Sequence, residues 1–163
     1  MSALMDTFCK VLASDSKIHV YEKSVDEMNG TAAAIVRYDG VKKRAVMGEK
    51  ADAFSGENKG DLVLAPLSTE NSVVLMEVFP YTKPKSHKDH PYTIGLGDRL
   101  GIATPGHVRA IAGYDVYPVL AQQSIRELTL TNRTFADVIG TAAFGVFQEG
   151  YKDGYGADGD HLK

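Results

Sequence analysis

The chain has 163 residues, 44% hydrophobic and 24% charged, with a net charge of -3 and one cysteine. That apolar content supports a folded core and excludes a wholly disordered chain. The longest apolar runs, such as Val73-Val74-Leu75-Met76, fall far short of the ~20 residues of a membrane-spanning helix. The slightly acidic balance lacks the basic footprint of a nucleic-acid binder, so neither nucleic acid nor membrane is an expected partner. The single Cys9 allows no internal disulfide. With Asp6 and Lys10 interrupting any apolar leader, a cytoplasmic setting is expected.

In chain order, residues 2–13 predict a short amphipathic helix capped by Ser2, with Leu4, Phe8, Val11 and Leu12 on one face. Residues 18–21 and 33–38 read as strands, Asp39-Gly40 as a hairpin turn, and residues 42–47 as the returning strand. The polar, glycine-containing residues 49–61 read as a loop, and residues 62–67 and 72–79 as two further strands. Residues 1–80 therefore predict a strand-rich α+β module, and the proline- and lysine-rich residues 81–91 an extended linker.

Residues 92–163 follow a different grammar. A strand over 92–96 precedes a helix with Thr104 as N-cap and Pro105 at its first position. A second strand covers 118–122 and a helical turn 124–129. A longer helix covers 135–150, and a third strand begins at Tyr155. This β-α-β-α-β order predicts parallel strands with right-handed crossovers, an α/β arrangement.

Three polar clusters stand where strands end. The first is Gly95-Leu96-Gly97-Asp98-Arg99-Leu100-Gly101. A dinucleotide fingerprint would need glycine at position 100, where leucine stands. What remains is Asp98-Arg99 at the end of a strand that faces the active site in parallel α/β folds. Arg99 can clamp a carboxylate, or an ion pair can merely order the turn. The second cluster is Gln122-Gln123-Ser124, whose amides and hydroxyl suit a polyhydroxylated ligand. Gln123 and Ser124 could equally cap the next helix, whereas Gln122 lies where a strand side chain points into a barrel mouth. The third is Asp158-Gly159-Asp160-His161-Leu162-Lys163. Strand alternation puts Asp158 and Asp160 on one face and His161 and Lys163 on the other. An imidazole there suits a divalent ion, and the amine a proton or charge for a sugar oxygen. The alternative is a solvated polar tail. His87 and His90 sit in the expected linker, and His107 and Glu149 read as surface groups.

The segments GLGDRLGIATPGHVRAI, LAQQSIREL and FGVFQEGYKDGYGADGDHLK, in this order, resemble the tagaturonate (hexuronate) epimerases over residues 92–163. The first 80 residues are more loosely similar to the domain preceding that family's catalytic part. The resemblance implies a TIM-barrel-like catalytic domain, a divalent metal of unstated identity at its mouth, and interconversion of the sugar acids tagaturonate and fructuronate. It assigns substrate binding to Asp98, Arg99, Gln122, Gln123, Ser124 and Asp158, catalysis to Lys163 and Asp160, and metal ligation to His161. The inverted carbon is β to the ketone, so single proton abstraction there is implausible. Retro-aldol cleavage between the α and β carbons is the better hypothesis, with transient hydride removal as the alternative.

A closed barrel needs eight strands, and this sequence reaches its third. The expectation is thus an incomplete barrel: an N-terminal fragment of a metal-dependent epimerase, inactive alone, which need not retain the metal. It would pair with a second copy or with a complementing downstream chain. A non-catalytic sugar-acid or metal-binding module, or an assembly protein, are the other readings.

Overall fold

A computed structural model describes residues 2–86 and 89–158. The chain divides into two units, Met1–Phe79 and Pro80–Lys163.

In the first unit, α1 (Ala3–Ser14) starts where Ser2 Oγ accepts the Met5 N–H at 3.0 Å, as its capping chemistry predicts. Its buried stripe is Met5, Phe8 and Leu12, with Leu4, Cys9 and Val11 at the margin. The strands are β1 (Ile18–Val20), β2 (Asp26–Met28), β3 (Thr31–Tyr38), β4 (Val41–Gly48), β5 (Glu57–Lys59) and β6 (Leu62–Pro66). They form one antiparallel sheet in the order β1-β3-β4-β6-β5, with β2 also on β3. Asp39 and Gly40 carry φ of 47° and 79° and close Tyr38 onto Val41. Two left-handed residues in a two-residue loop match the twist of the flanking strands. Strand alternation then sorts the core. Ala32, Ala34, Val36, Ala45, Met47 and Leu64 pack with α1, while Ala33, Ile35, Arg44, Val46 and Ala65 take the other face.

Two expectations for this unit need correction. Residues 72–79 are not a strand: α2 covers Thr69–Val78. The apolar run Val73–Met76 carries a β signal, but Val73 is 49% exposed, and the buried positions Asn71, Ser72, Leu75 and Val78 follow helical spacing. Ser68 caps the helix by accepting the Asn71 N–H at 3.3 Å. The Asn71 side chain donates to the Ser55 and Pro66 carbonyls at 2.8 and 3.0 Å and accepts the Ser55 N–H at 2.9 Å. These tertiary bonds decide the local conformation. Residues 49–61, read as loop, contain a 3-10 turn (Ala51–Ala53) and β5. An exposed edge strand such as Glu57-Asn58-Lys59 shows no apolar alternation.

Arg44 is fully buried. It lies beside Ile35 and Ala65 in register, its guanidinium carbon 3.9 Å from the centre of the Phe54 ring. Its Nη2 donates to the Asn71 carbonyl at 3.2 Å. Burial pushes the group down from 12.5 to about 9, so it remains charged at neutral pH.

The second unit contains β7 (Thr93–Gly95), α3 (Thr104–Ala110), β8 (Tyr117–Gln122), α4 (Ile125–Thr131), α5 (Phe135–Gln148) and β9 (Gly156–Asp158). The strands form a parallel sheet in the order β7-β8-β9, as the alternating strand and helix pattern predicts. Val108, Leu120, Leu128, Val138, Ala142, Val146 and Tyr155 make its core. Thr134 and Asp137 form a capping box at the start of α5. A Cβ at Gly145 would sit 2.6 Å from the Thr104 side chain, so glycine there lets α3 and α5 approach. Thr104 is not the cap of α3 but its first residue, after Ala103, which has no capping side chain.

The stretch expected as an extended linker opens with a 3-10 turn, Pro80–Thr82. It is fastened to the second unit: the Tyr155 hydroxyl donates to the Thr82 carbonyl at 2.7 Å, and the Lys85 N–H to the Tyr155 carbonyl at 2.8 Å. The Tyr117 hydroxyl donates to the Lys85 carbonyl at 2.6 Å. The whole is a mixed α/β chain, and among the described residues no helix is long and apolar enough to cross a membrane.

Candidate functional site

The C-terminal ends of β7, β8 and β9 bring several of the expected residues together. Past β7, the Leu96 N–H still donates to the Val119 carbonyl at 2.9 Å and the Asp98 N–H to the Gln122 carbonyl at 3.2 Å, so the loop leaves the sheet at a fixed place. A Cβ at Gly95 would stand 2.8 Å from Gln122 Oε1; glycine makes room for that amide to lie against β7. Gln122 Nε2 in turn donates to Asp158 Oδ2 at 3.3 Å, and Gln122 and Asp158 are register partners in β8 and β9. One side chain thus links three strand ends, and the exposed Asp158 carboxylate keeps acceptor capacity for a ligand.

Asp98 does not join them. It is 6% exposed, and its carboxylate is taken up by five backbone N–H groups. Oδ1 accepts from Leu100, Gly101 and Ile102 at 3.2, 2.8 and 3.1 Å, and Oδ2 from Ala103 and Thr104 at 2.7 and 3.2 Å. Burial alone would raise this carboxyl, but the backbone donors outweigh it and hold the group below its ordinary 3.8. Asp98 builds the loop and supplies the negative group at the start of α3 that Ala103 cannot. In this structure both carboxylate oxygens serve the loop.

Arg99 points outward, 80% exposed, and its Nε lies 2.7 Å from Glu127 Oε1 of α4. Gln123 is 2% exposed; its Nε2 donates to the Arg99 carbonyl at 2.9 Å and its Oε1 accepts from Arg133 Nη1 at 2.7 Å. Both ends of this amide are engaged by protein groups. Ser124 is the N-cap of α4, accepting the Glu127 N–H at 3.4 Å. The capping alternative holds for it, and Ser124→Ala should lower stability by about 1 kcal/mol in a urea titration. Glu127 and Arg133 carried no motif; the Ser-x-x-Glu spacing of Ser124 and Glu127 was the one local signal, and it is a capping signal.

Asp160, His161 and Lys163 lie outside the described residues, as does His87. His90 sits with Nδ1 2.8 Å from the Tyr92 carbonyl and Nε2 3.5 Å from Asp115, and Glu149 lies 3.6 Å from Arg109 Nε. Among the described residues no three His, Cys, Asp or Glu side chains converge as a metal-binding group. Asp98 is engaged by backbone amides and Glu127 by Arg99.

A family model described as tagaturonate epimerase matches residues 21–163. The chain belongs to the tagaturonate epimerase family. A curated relative in Thermotoga maritima, a tagaturonate/fructuronate epimerase, is 41% identical over a 150-residue alignment that covers 88% of this chain and 31% of the relative. Among solved structures, the native fructuronate-tagaturonate epimerase UxaE from Cohnella laeviribosi superposes with a TM-score of 0.87 at 46% identity, covering 99% of this chain and 33% of that one. A form of that epimerase complexed with two glycerols matches with the same TM-score at 47% identity, over 97% of this chain and 32% of that one. The chain therefore spans about a third of the length of the tagaturonate epimerases it matches.

Proposed function

We propose that this chain supplies the first three strands of a TIM-barrel-like catalytic domain that interconverts tagaturonate and fructuronate, acting together with the rest of that fold. The observation carrying this reading is the meeting of Gln122 and Asp158 across Gly95 at the C-terminal ends of three consecutive parallel strands, where α/β barrels place their chemistry. The family match supports the substrate class.

In this reading Arg99 takes the sugar-acid carboxylate, a group its guanidinium fits in bidentate fashion. Gln122 and Asp158 take hydroxyls. The reaction moves no electrons overall. The β-hydroxyl gives up its proton, the bond between the α and β carbons breaks to an aldehyde and an enediolate, the aldehyde turns its other face, and the bond re-forms as the proton returns. Lys163 and Asp160 are the proposed carriers of that proton. A divalent metal with His161 among its ligands also belongs to the proposal, as do a cytoplasmic location and association with a second copy or a complementing chain.

The test is complementation. The chain is mixed with a separately expressed polypeptide covering the remaining two thirds of the Cohnella enzyme, and tagaturonate is followed by proton NMR. Neither part alone should turn over substrate, and the mixture should form fructuronate. A mixture that co-elutes as a complex yet stays inactive would overturn the reading. Metal content of the complex should fall with His161→Ala.

A further inference from the structure

We propose that Arg133 is a positioning residue which, through Gln123, fixes Arg99 at the mouth of the parallel sheet; this rests on the carboxylate-binding role given to Arg99 above. Arg133 lies between α4 and α5 and is half-buried. Its guanidinium bonds only neutral acceptors in the described geometry: Gln123 Oε1 at 2.7 Å, Thr141 Oγ1 at 2.9 Å and the Asp137 carbonyl at 3.4 Å. A guanidinium can only donate. It therefore forces the oxygen of the Gln123 amide toward itself and turns the NH2 group onto the Arg99 carbonyl, 2.9 Å away.

A second contact points the same way. Gly101 has φ of +74°, and a Cβ there would stand 2.6 Å from Arg133 Nη2. The loop thus lies directly on the guanidinium, at a position whose left-handed conformation favours glycine. Asp98 shapes the loop from within through its five amides, and Arg133 docks that shaped loop onto α5. The result is an exposed arginine on an immobile backbone, able to exchange Glu127 for a ligand carboxylate without reordering the chain. Such preorganisation raises affinity by removing an ordering cost.

The decisive variant is Gln123→Glu in the full chain. A carboxylate still accepts from Arg133 but cannot donate to the Arg99 carbonyl, so it cuts one link and keeps the other. Amide exchange by NMR should quicken about tenfold at residues 99–103, with the thermal midpoint held. The Arg99 Nε–H resonance should move toward its free-peptide position, which a purely structural loss elsewhere would not cause. Arg133→Met should do the same, and Arg133→Lys should recover part of the protection; if Arg133→Met does not fold, Gln123→Glu carries the test. Unchanged exchange and an unchanged Arg99 resonance in Gln123→Glu would overturn the proposal. Titrating galacturonate into the complemented assembly reads the underlying function separately. An Arg99 resonance that ignores the sugar acid, with the exchange changes present, confirms the clasp and overturns the carboxylate role of Arg99.

Discussion

Replacing Asp98 by alanine is expected to destabilise the second unit by about 2–3 kcal/mol, since buried donors left without an acceptor cost about 1–3 kcal/mol. Five backbone N–H groups lose their acceptor at once, and α3 loses its only anionic cap because Ala103 has no side-chain acceptor to offer. Asp98→Asn keeps the volume but turns an NH2 group toward amide donors, so it should fall between alanine and wild type. The pH dependence has a definite sign. Burial works to raise the Asp98 carboxyl, the amides prevail, and the folded value lies below 3.8. Its contribution is therefore complete above the unfolded value and is lost as pH falls through the folded one. Urea unfolding should show the gap between wild type and Asp98→Ala constant near neutrality and closing below about pH 4. A gap that widened in acid would contradict the assignment.

Arg44→Met is expected to raise the stability of the first unit at neutral pH by about 1–4 kcal/mol, because an apolar side chain of similar length removes a buried charge. The stack on Phe54 and the bond to the Asn71 carbonyl offset part of the burial cost in the wild type. Burial still pushes the guanidinium down from 12.5, the direction of an incompletely offset cost. Chemical denaturation at pH 7 measures the effect; a Met variant weaker than wild type would mean the stack and hydrogen bond dominate.

The parallel order of the second unit and the β3–β4 hairpin were legible in the sequence because each rests on local chemistry. Asp39-Gly40 can only make a tight turn, and Thr134 with Asp137 can cap α5 from three residues away. α2 was not legible, since its conformation is settled by Asn71 reaching Ser55 and Pro66, contacts that no window of neighbouring residues contains. The site divides in the same way. Polar residues where a strand ends look alike in sequence whether they face a ligand or their own backbone. Gln122 and Asp158 meet because β8 and β9 pair in that register. Asp98 and Gln123 are consumed by amides and a carbonyl of the adjoining loop. Only the position of those groups in space separates the two cases.

The antiparallel neighbours of the first unit bear on how the polypeptide matures. β3 and β4 zip directly from their shared turn, and β6 joins β4 soon after, so this half can acquire its sheet while translation continues. The pairing of Gln122 with Asp158 must wait until two intervening helices have been made. A nascent chain would therefore carry a completed antiparallel sheet before its parallel strands can pair.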